Sequence, residues 1–465
     1  MTEAAARRRV LVATGDTLGA AMAGPGIRAV AIAAALSAEH EVHLVSTDRA
    51  DLDRRGMTIS AVGDATLESL VAWCDIFIVQ GWVLAGRPQV CRAAETKVVV
   101  VDLYDPMHLE QLEQARDEGS VAWRAAVTDT TAVLNEQLLR GDWFMCASER
   151  QRDFWLGHLA ALGRVNPATY EADHALRQLI NIVPFGIEDE PPVRTGPGWR
   201  DVLPGVDATD KVIVWGGGIW NWFDPITLLH AINALRNDVD DVRLVFMGFT
   251  HPNPLITQMQ MAVAATTLSD DLGLTGRHVF FNEGWVPYDI RQNVLLDSDI
   301  GVSTHFDHVE SEFSYRTRVL DYFWAGLPVV VTEGDAIADM VARDGLGLVV
   351  PPDDTNALRA ALHQLLTDRA FAERCRRNVE LASRAMRWSV VLEPLIEFCR
   401  HPRRAPDLID PAQAAALRRV HVGIPRRTGV IAYARRLIAA ARRPDRVSTL
   451  RRAVARKLPH GRGDS

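Results

Sequence analysis

Two series of apolar runs, each run followed by a polar connector and a helical pattern, organise the first 400 residues. The first series is Val10 to Thr14, Glu41 to Ser46, Ile76 to Gln80, Lys97 to Asp102, Phe144 to Ser148 and Asn181 to Phe185. The second is Lys211 to Trp215, Val242 to Met247, His278 to Phe281, Asp299 to Ser303, Pro328 to Thr332 and Gly347 to Val350. These runs are continuous in Val, Ile and Phe. That is the pattern of strands buried on both faces of a parallel sheet. Between the series, IEDEPPVRTGPGWRDVLPGVDATD is rich in Pro, Gly and Asp and lacks periodicity, as an interdomain linker does. Helical patterns over Ile27 to Leu36, Thr355 to Thr367 and Ala370 to Ala385, and an amphipathic stretch from Met386 to Arg400, complete the reading. The predicted fold class is α/β, with two parallel-sheet domains at 1–187 and 188–385, a segment 386–400 and a tail 401–465. In such sheets ligands collect beyond the carboxyl ends of the strands.

Charge separates the tail from the body. The net charge is −8. After His401 there are sixteen Arg/Lys against four Asp, a net of +12, so the residues before it carry −20. Within the tail, Val430 to Arg443 and Arg446 to Lys457 place aliphatic residues and arginine pairs at helical spacing. A basic amphipathic helix suits an anionic membrane surface. Disorder, partner docking and a nucleic-acid arm are the alternatives, and a single aromatic, Tyr433, argues against base stacking. The five cysteines are scattered without a CxxC pair, as in a reduced cytosolic protein. No stretch reaches the ~18 uncharged apolar residues of a membrane span, and Val10 to Thr14 is too short for a signal-peptide core.

The segment richest in candidate chemistry is EFSYRTRVLDYFWAGLPVV, Glu312 to Val330. Glu312 to Ser314 lead into a helical pattern carrying Arg316, Arg318 and Asp321, which Gly326 and Pro328 stop before an apolar run. Arginines in a first helical turn oppose the helix dipole. An anion held between them reverses that penalty. Asp321, one turn further on, can accept hydrogen bonds from sugar hydroxyls. Together these suit a nucleotide diphosphate. The plainer alternative is a surface ion pair between Arg318 and Asp321, worth about 0.3 kcal/mol.

Other candidates follow strand ends. Gly24, Pro25 and Gly26 open a helix, so backbone N–H groups can face an anion there, although the loop is not GxGxxG. Gly216, Gly217 and Gly218 allow close backbone approach to a ligand. Asp224 and Pro225 then form an N-cap and N1 pair. Trp220 and Trp222 line a pocket or pack between domains. Asp102, Tyr104, Asp105 and His108 lie past another strand end, with capping of the helix at Pro106 as the alternative role for Asp105. Asp297 to Asp299 and Asp51 to Asp53 read as connectors, no His/Cys set has metal spacing, and neither a GxSxG elbow nor a Walker loop is present.

Five segments carry a family resemblance: the GPGIRA loop, SERQRDFWLG (Ser148 to Gly157), VPFGI, GGGIWNWFDP and RTRVLDYFWAGLPVVVTEGD. The chain resembles the retaining, family-4 type of glycosyltransferase with the GT-B fold. The resemblance implies two facing Rossmann-like domains with a cleft between them, and a final helix near Trp388 to Arg400 that crosses back to the first domain. It implies that Asp321 binds ribose hydroxyls, Gly217 and Gly218 approach the diphosphate, and the Glu283 to Pro287 turn, with Trp285 and Val286, holds the base through backbone groups. Arg316 and Arg318 would neutralise the leaving group without metal. The Gly24 to Gly26 loop would close the phosphate site, and His108 or Asp105 would contact the acceptor or the sugar.

The chain departs from the family pattern in two places. Phe313 stands eight residues before Asp321, where the family has a glutamate, leaving Glu312 or Glu310 as the sugar-contacting acid. Asp224-Pro225 stands where the family has a lysine. The expected function is transfer of a sugar, with retention, from a UDP- or GDP-linked donor to a carbohydrate or lipid-linked hydroxyl. No cofactor or nucleic acid is expected, and residues 401–465 would hold the protein at the cytoplasmic face of a membrane. The alternatives are a nucleotide-sugar epimerase or hydrolase of the same fold, or a catalytically silent homologue that docks a partner.

Overall fold

The computed structural model describes residues 7–20, 22–249, 259–282 and 284–421. The continuous apolar runs form two sheets. The first contains β1 (Arg9–Thr14), β2 (Glu41–Ser46), β3 (Thr58–Ala61), β4 (Ile76–Gln80), β5 (Val98–Asp102), β6 (Trp143–Cys146) and β7 (Ile180–Ile182). Their order is β3-β2-β1-β4-β5-β6-β7, and every pairing is parallel. The second contains β8 (Lys211–Trp215), β9 (Val242–Phe246), β10 (Val279–Phe281), β11 (Ile300–Ser303), β12 (Val329–Thr332) and β13 (Gly347–Val350). Their order is β10-β9-β8-β11-β12-β13, again all parallel. Strand β3 was not predicted. It is a four-residue edge strand, TISA, without an apolar run, and its residues stay partly exposed.

Both sheets reverse their strand order in the middle, between β1 and β4 and between β8 and β11. A crevice opens at such a reversal beyond the carboxyl strand ends. The helix Gly24–Ser37 follows β1, and the helix Pro225–Leu235 follows β8. The side chain of Asp224 caps the latter by accepting from Thr227 N at 2.9 Å, as the Asp-Pro pair predicts.

The chain crosses back after the second sheet. Ile187 and the Met386–Trp388 segment exchange backbone hydrogen bonds of 2.9 Å in both directions. The Trp388 ring lies 4.9 Å from Phe185. The helix Glu393–Arg400 then packs on the first domain, with Phe398 stacked on Trp143 at 4.7 Å and Arg400 paired with Glu39 at 2.6 Å. The first residues of the basic tail are also fastened there. Asp407 is fully buried and accepts from Arg164 at 2.7 and 3.1 Å, and Arg404 meets Asp142 at 2.8 Å. The amphipathic stretches Val430 to Arg443 and Arg446 to Lys457 lie outside the described residues.

The linker is tied to the second domain. Asn293 accepts from Thr195 N and Gly196 N, and Asp297 takes Arg200 and Arg194. Asp297 and Asp299 are thereby occupied with arginines, consistent with a connecting role.

Candidate active site

The helix Thr317–Trp324 shapes the glycine loop beyond β8. Its apolar face, Val319, Leu320, Tyr322 and Phe323, is buried. Arg318 and Tyr322, one turn apart, reach the loop together. The Tyr322 hydroxyl donates to Val302 O at 2.9 Å and accepts from Gly216 N at 2.6 Å. Arg318 donates to Gly218 O at 2.9 Å and lies 3.8 Å from the Phe223 ring centroid. Gly217 holds φ +69, a left-handed conformation that suits glycine. A side chain on Gly218 would place its first carbon 3.6 Å from both Trp220 and Trp285.

Arg318 is short of partners. Among the described residues no carboxylate lies within ion-pair distance of it, its second terminal nitrogen is buried with no hydrogen-bond partner, and burial pushes its guanidinium down to about 9. Four further buried polar atoms near the end of β11 make no hydrogen bond: Ser303 Oγ and His308 Nε2, and His305 Nε2 and Arg316 Nε, which both lie 3.6 Å from the Asp335 carboxylate. Buried polar groups are nearly always hydrogen-bonded, so these atoms are open to ordered water or to a polar ligand.

The two arginines differ. Arg316 is 5% exposed and grips Glu310, itself 1% exposed, through bonds of 3.2 and 2.9 Å. Its Nε lies 3.6 Å from Asp335, and Ser311 Oγ accepts from its Nη2 at 3.1 Å. Arg316 is therefore already compensated by carboxylates, and Arg318 is not. Asp335 caps the helix Ala336–Asp344 and, buried, is raised to about 6 despite Arg316. His305 sits 3.6 Å from Asp335, and burial and then Arg316 push it down to about 3. His308 Nδ1 accepts from Ser311 N at 3.2 Å. Of the two candidate acids near Phe313, Glu310 is the buried one and Glu312 is exposed.

The proposed Arg318–Asp321 ion pair does not form. Arg318 turns into the glycine loop, while Asp321 takes Arg291 at 2.9 Å. Arg291 is itself clamped over the Tyr288 ring at 3.5 Å and Trp324 at 4.3 Å. Only one oxygen of the half-exposed Asp321 carboxylate is engaged by Arg291. Trp285 lies beside Gly248 through a strand-like bridge, and Val286 is half-buried. Glu283, the first residue of that turn, lies outside the described residues.

The first domain faces this site with the β1 and β5 ends. Gly24 approaches Tyr104 and Thr317; a first side-chain carbon there would be 3.5 Å from the Tyr104 hydroxyl and 3.8 Å from Thr317 Oγ1. Gly26 is packed against Thr17 O, which such a carbon would meet at 2.9 Å. Arg28, fully buried, joins this helix to β5 through Asp102 at 2.6 and 3.0 Å and to Val183 O and Pro184 O at 2.8 Å. Asp105 does not cap its helix; the helix is Met107–Gln114 and receives no side-chain cap. Burial instead raises Asp105 to about 7, with Glu310 of the second domain, Asp16 and Asp102 adding to the shift against a hydrogen bond with Glu110. Burial and Asp105 hold Glu110 well above the carboxylate range. His108 belongs to an aromatic cluster with Phe154 (5.5 Å) and Trp155 (5.8 Å), and burial lowers it to about 4. The structure thus brings Arg318, Gly217, Gly218 and Asp321 to one face of the cleft and Gly24 and Asp105 to the other. Glu110, His305, His308, Arg291 and Asp335 were not singled out from the sequence. The HFDH run, Asp335 ahead of a helical pattern and the MHLE turn were the available signals.

Residues 210–368 match the family model described as Glycosyl transferases group 1. A chitobiosyldiphosphodolichol beta-mannosyltransferase of Debaryomyces hansenii is 23% identical over 145 residues, 30% of this chain and 29% of that protein's length. Sucrose-phosphate synthase from Thermosynechococcus elongatus superposes with a TM-score of 0.61 at 13% identity, covering 85% of this chain and 98% of the other. Anabaena HepE, solved in complex with UDP and glucose, gives 0.59 at 14% identity over 84% and 99%. These likenesses show the fold as GT-B, and the match to the glycosyl transferases group 1 model is confined to residues 210–368.

Proposed function

We propose that this protein transfers a sugar from a nucleotide-diphosphate donor to a hydroxyl of a lipid-linked or polysaccharide acceptor. The observation that carries the reading is Arg318, a half-buried guanidinium with one buried terminal nitrogen unbonded and no carboxylate partner among the described residues, beside the buried Ser303 Oγ and His308 Nε2, which also lack partners. The donor's diphosphate lies against Arg318 and the backbone of Gly217 and Gly218, with the Gly24 to Gly26 loop opposite. Negative charge grows on the leaving phosphate as the glycosidic bond breaks. A fixed guanidinium in a water-poor crevice stabilises that charge more than the ground state. Arg318 supplies the charge assigned to a lysine in the family pattern, so transfer proceeds without a metal ion. Asp321, oriented by Arg291, takes the ribose hydroxyls, and the turn at Trp285 and Val286 holds the base. The sugar lies by Glu310, which Arg316 orients, and by His308; Asp105 faces the acceptor. His108 supports the Asp105 turn from its aromatic cluster. Transfer with retention places the acceptor on the same face as the departing phosphate.

The mannosyltransferase relative, whose name includes a diphosphodolichol-linked chitobiose, supports a lipid-linked acceptor. HepE, solved with UDP and glucose, supports a UDP-linked donor, with GDP the other choice. The basic composition of residues 401–465 supports work at a cytoplasmic anionic membrane surface. The test is product analysis with UDP- and GDP-sugars and lipid-linked oligosaccharide. Transfer to the acceptor is the expected result. Release of free sugar or an epimerised donor, with no dependence on acceptor, would replace this reading with a hydrolase or epimerase.

A further inference from the structure

We infer that Gln151 is a positioning residue that joins the two domains and sets the separation of the acceptor-side and donor-side groups. Its side chain is fully buried. Both N–H bonds of its carboxamide are used: one donates to Tyr104 O at 2.8 Å and the other to Phe313 O, also at 2.8 Å. Its oxygen accepts from Ala147 N at 2.8 Å. Tyr104 precedes Asp105 on the first domain. Phe313 ends the helix Val309–Phe313 that carries Glu310 on the second. A single planar group therefore fixes both turns against each other.

The backbone at Gln151 is itself held. Ser148 Oγ caps the helix Glu149–Ala161 by accepting from Gln151 N at 3.1 Å. The same helical turn makes the neighbouring contacts to the second domain: Arg150 reaches Gly334 O and Asp339, and Phe154 lies 4.7 Å from Phe313. The Arg150–Asp339 pair is partly exposed, at 33% and 62%, and ion pairs in water contribute little. Gln151 supplies the buried, directional part of the junction. No other side chain at this position satisfies all three groups. Glutamate lacks both N–H donors and would set a carboxylate against two carbonyls. Leucine leaves two carbonyls and one N–H unpaired, and asparagine is one carbon too short. A glutamine that merely fills a core has no need to span two domains.

The role rests on the transferase reading only for its kinetic consequence. The distance consequence stands alone. Spin labels on V121C and V263C, at positions 79% and 48% exposed, report the interdomain distance, and the five native cysteines are buried. The wild type should give one narrow distance distribution. Gln151→Leu should lengthen and broaden it while cooperative melting persists. Gln151→Glu should do the same at pH 8 and recover only in part at pH 5, where the protonated carboxyl offers one O–H to two carbonyls. In turnover, kcat should fall at least tenfold with the donor KM within twofold, because the donor's contacts are almost all on the second domain. A Gln151→Glu protein that folds and keeps the wild-type distance at pH 8 overturns the inference. So does a Gln151→Leu protein that loses stability but keeps both the distance and kcat per folded molecule. Altered distances in a protein without transferase activity would uphold the junction and refute the proposed function instead.

Discussion

Replacing Arg318 by Met separates the cost of a partly buried cation from its use. In the protein alone, Arg318 makes one hydrogen bond to Gly218 O and stacks on Phe223, and one of its terminal nitrogens has no partner. Losing the stack and the hydrogen bond costs about 1–2 kcal/mol. Removing an unpaired, partly desolvated charge returns a similar amount, and methionine still packs its sulfur against the ring. Unfolding free energy should therefore stay within about 1 kcal/mol of wild type. Binding should respond very differently. Removing one partner of a buried, hydrogen-bonded charge pair costs about 2–5 kcal/mol. The nucleoside diphosphate Kd should rise between about 30-fold and about 4,000-fold. Isothermal calorimetry on folded Arg318→Met, beside urea unfolding of both proteins, measures the two quantities. Nucleotide affinity within threefold of wild type, or a loss of affinity matched by a loss of stability, would refute the assignment.

Two further outcomes follow from charge. Asp105 is raised to about 7, so the native chain keeps a proton that the unfolded chain releases near pH 3.9. That contribution to stability is complete below about pH 4 and is lost as pH rises to about 7. Asp105→Asn stays neutral throughout, so its stability relative to wild type should increase between pH 4 and pH 8 by up to about 4 kcal/mol, measured by urea unfolding. Identical pH dependence in the two proteins would contradict the burial of an ionisable group there. Deleting residues 422–465 should abolish sedimentation with phosphatidylserine vesicles at low salt; unchanged sedimentation would remove the membrane role from the tail.

The strands were the most legible part of the chain, because a strand buried on both faces must be apolar at every position. Strand β3 escaped for the opposite reason: an edge strand can be polar and short. Asp224-Pro225 was readable because capping is local, and Asp297 because an acid between a helix and a strand usually serves the backbone. Asp105 was harder. An acid before Pro suggests a cap, but its partner is Glu110 and its neighbour is Glu310 on the other domain. Spacing along one helix likewise suggested an Arg318–Asp321 pair, whereas the partners are Gly218 and Arg291, about 100 and 30 residues away. Long-range pairing, which decides where a charged side chain points, leaves no periodic trace. Arg316 shows that a near partner can be missed too: Glu310 is only six residues back, outside the three- and four-residue spacing of a helix, and compensates its charge.

The central claim is a donor site for a nucleotide-linked sugar at the β8/β11 crevice, and thermal unfolding with UDP, GDP, ADP and TDP tests it most directly. One nucleotide at 100 times its Kd should stabilise the wild type by about 2.7 kcal/mol. Asp321→Ala, measured against its own ligand-free melt because it leaves Arg291 unpaired, should lose that increment. A wild-type protein that melts cooperatively and shifts with none of the four nucleotides would contradict the account.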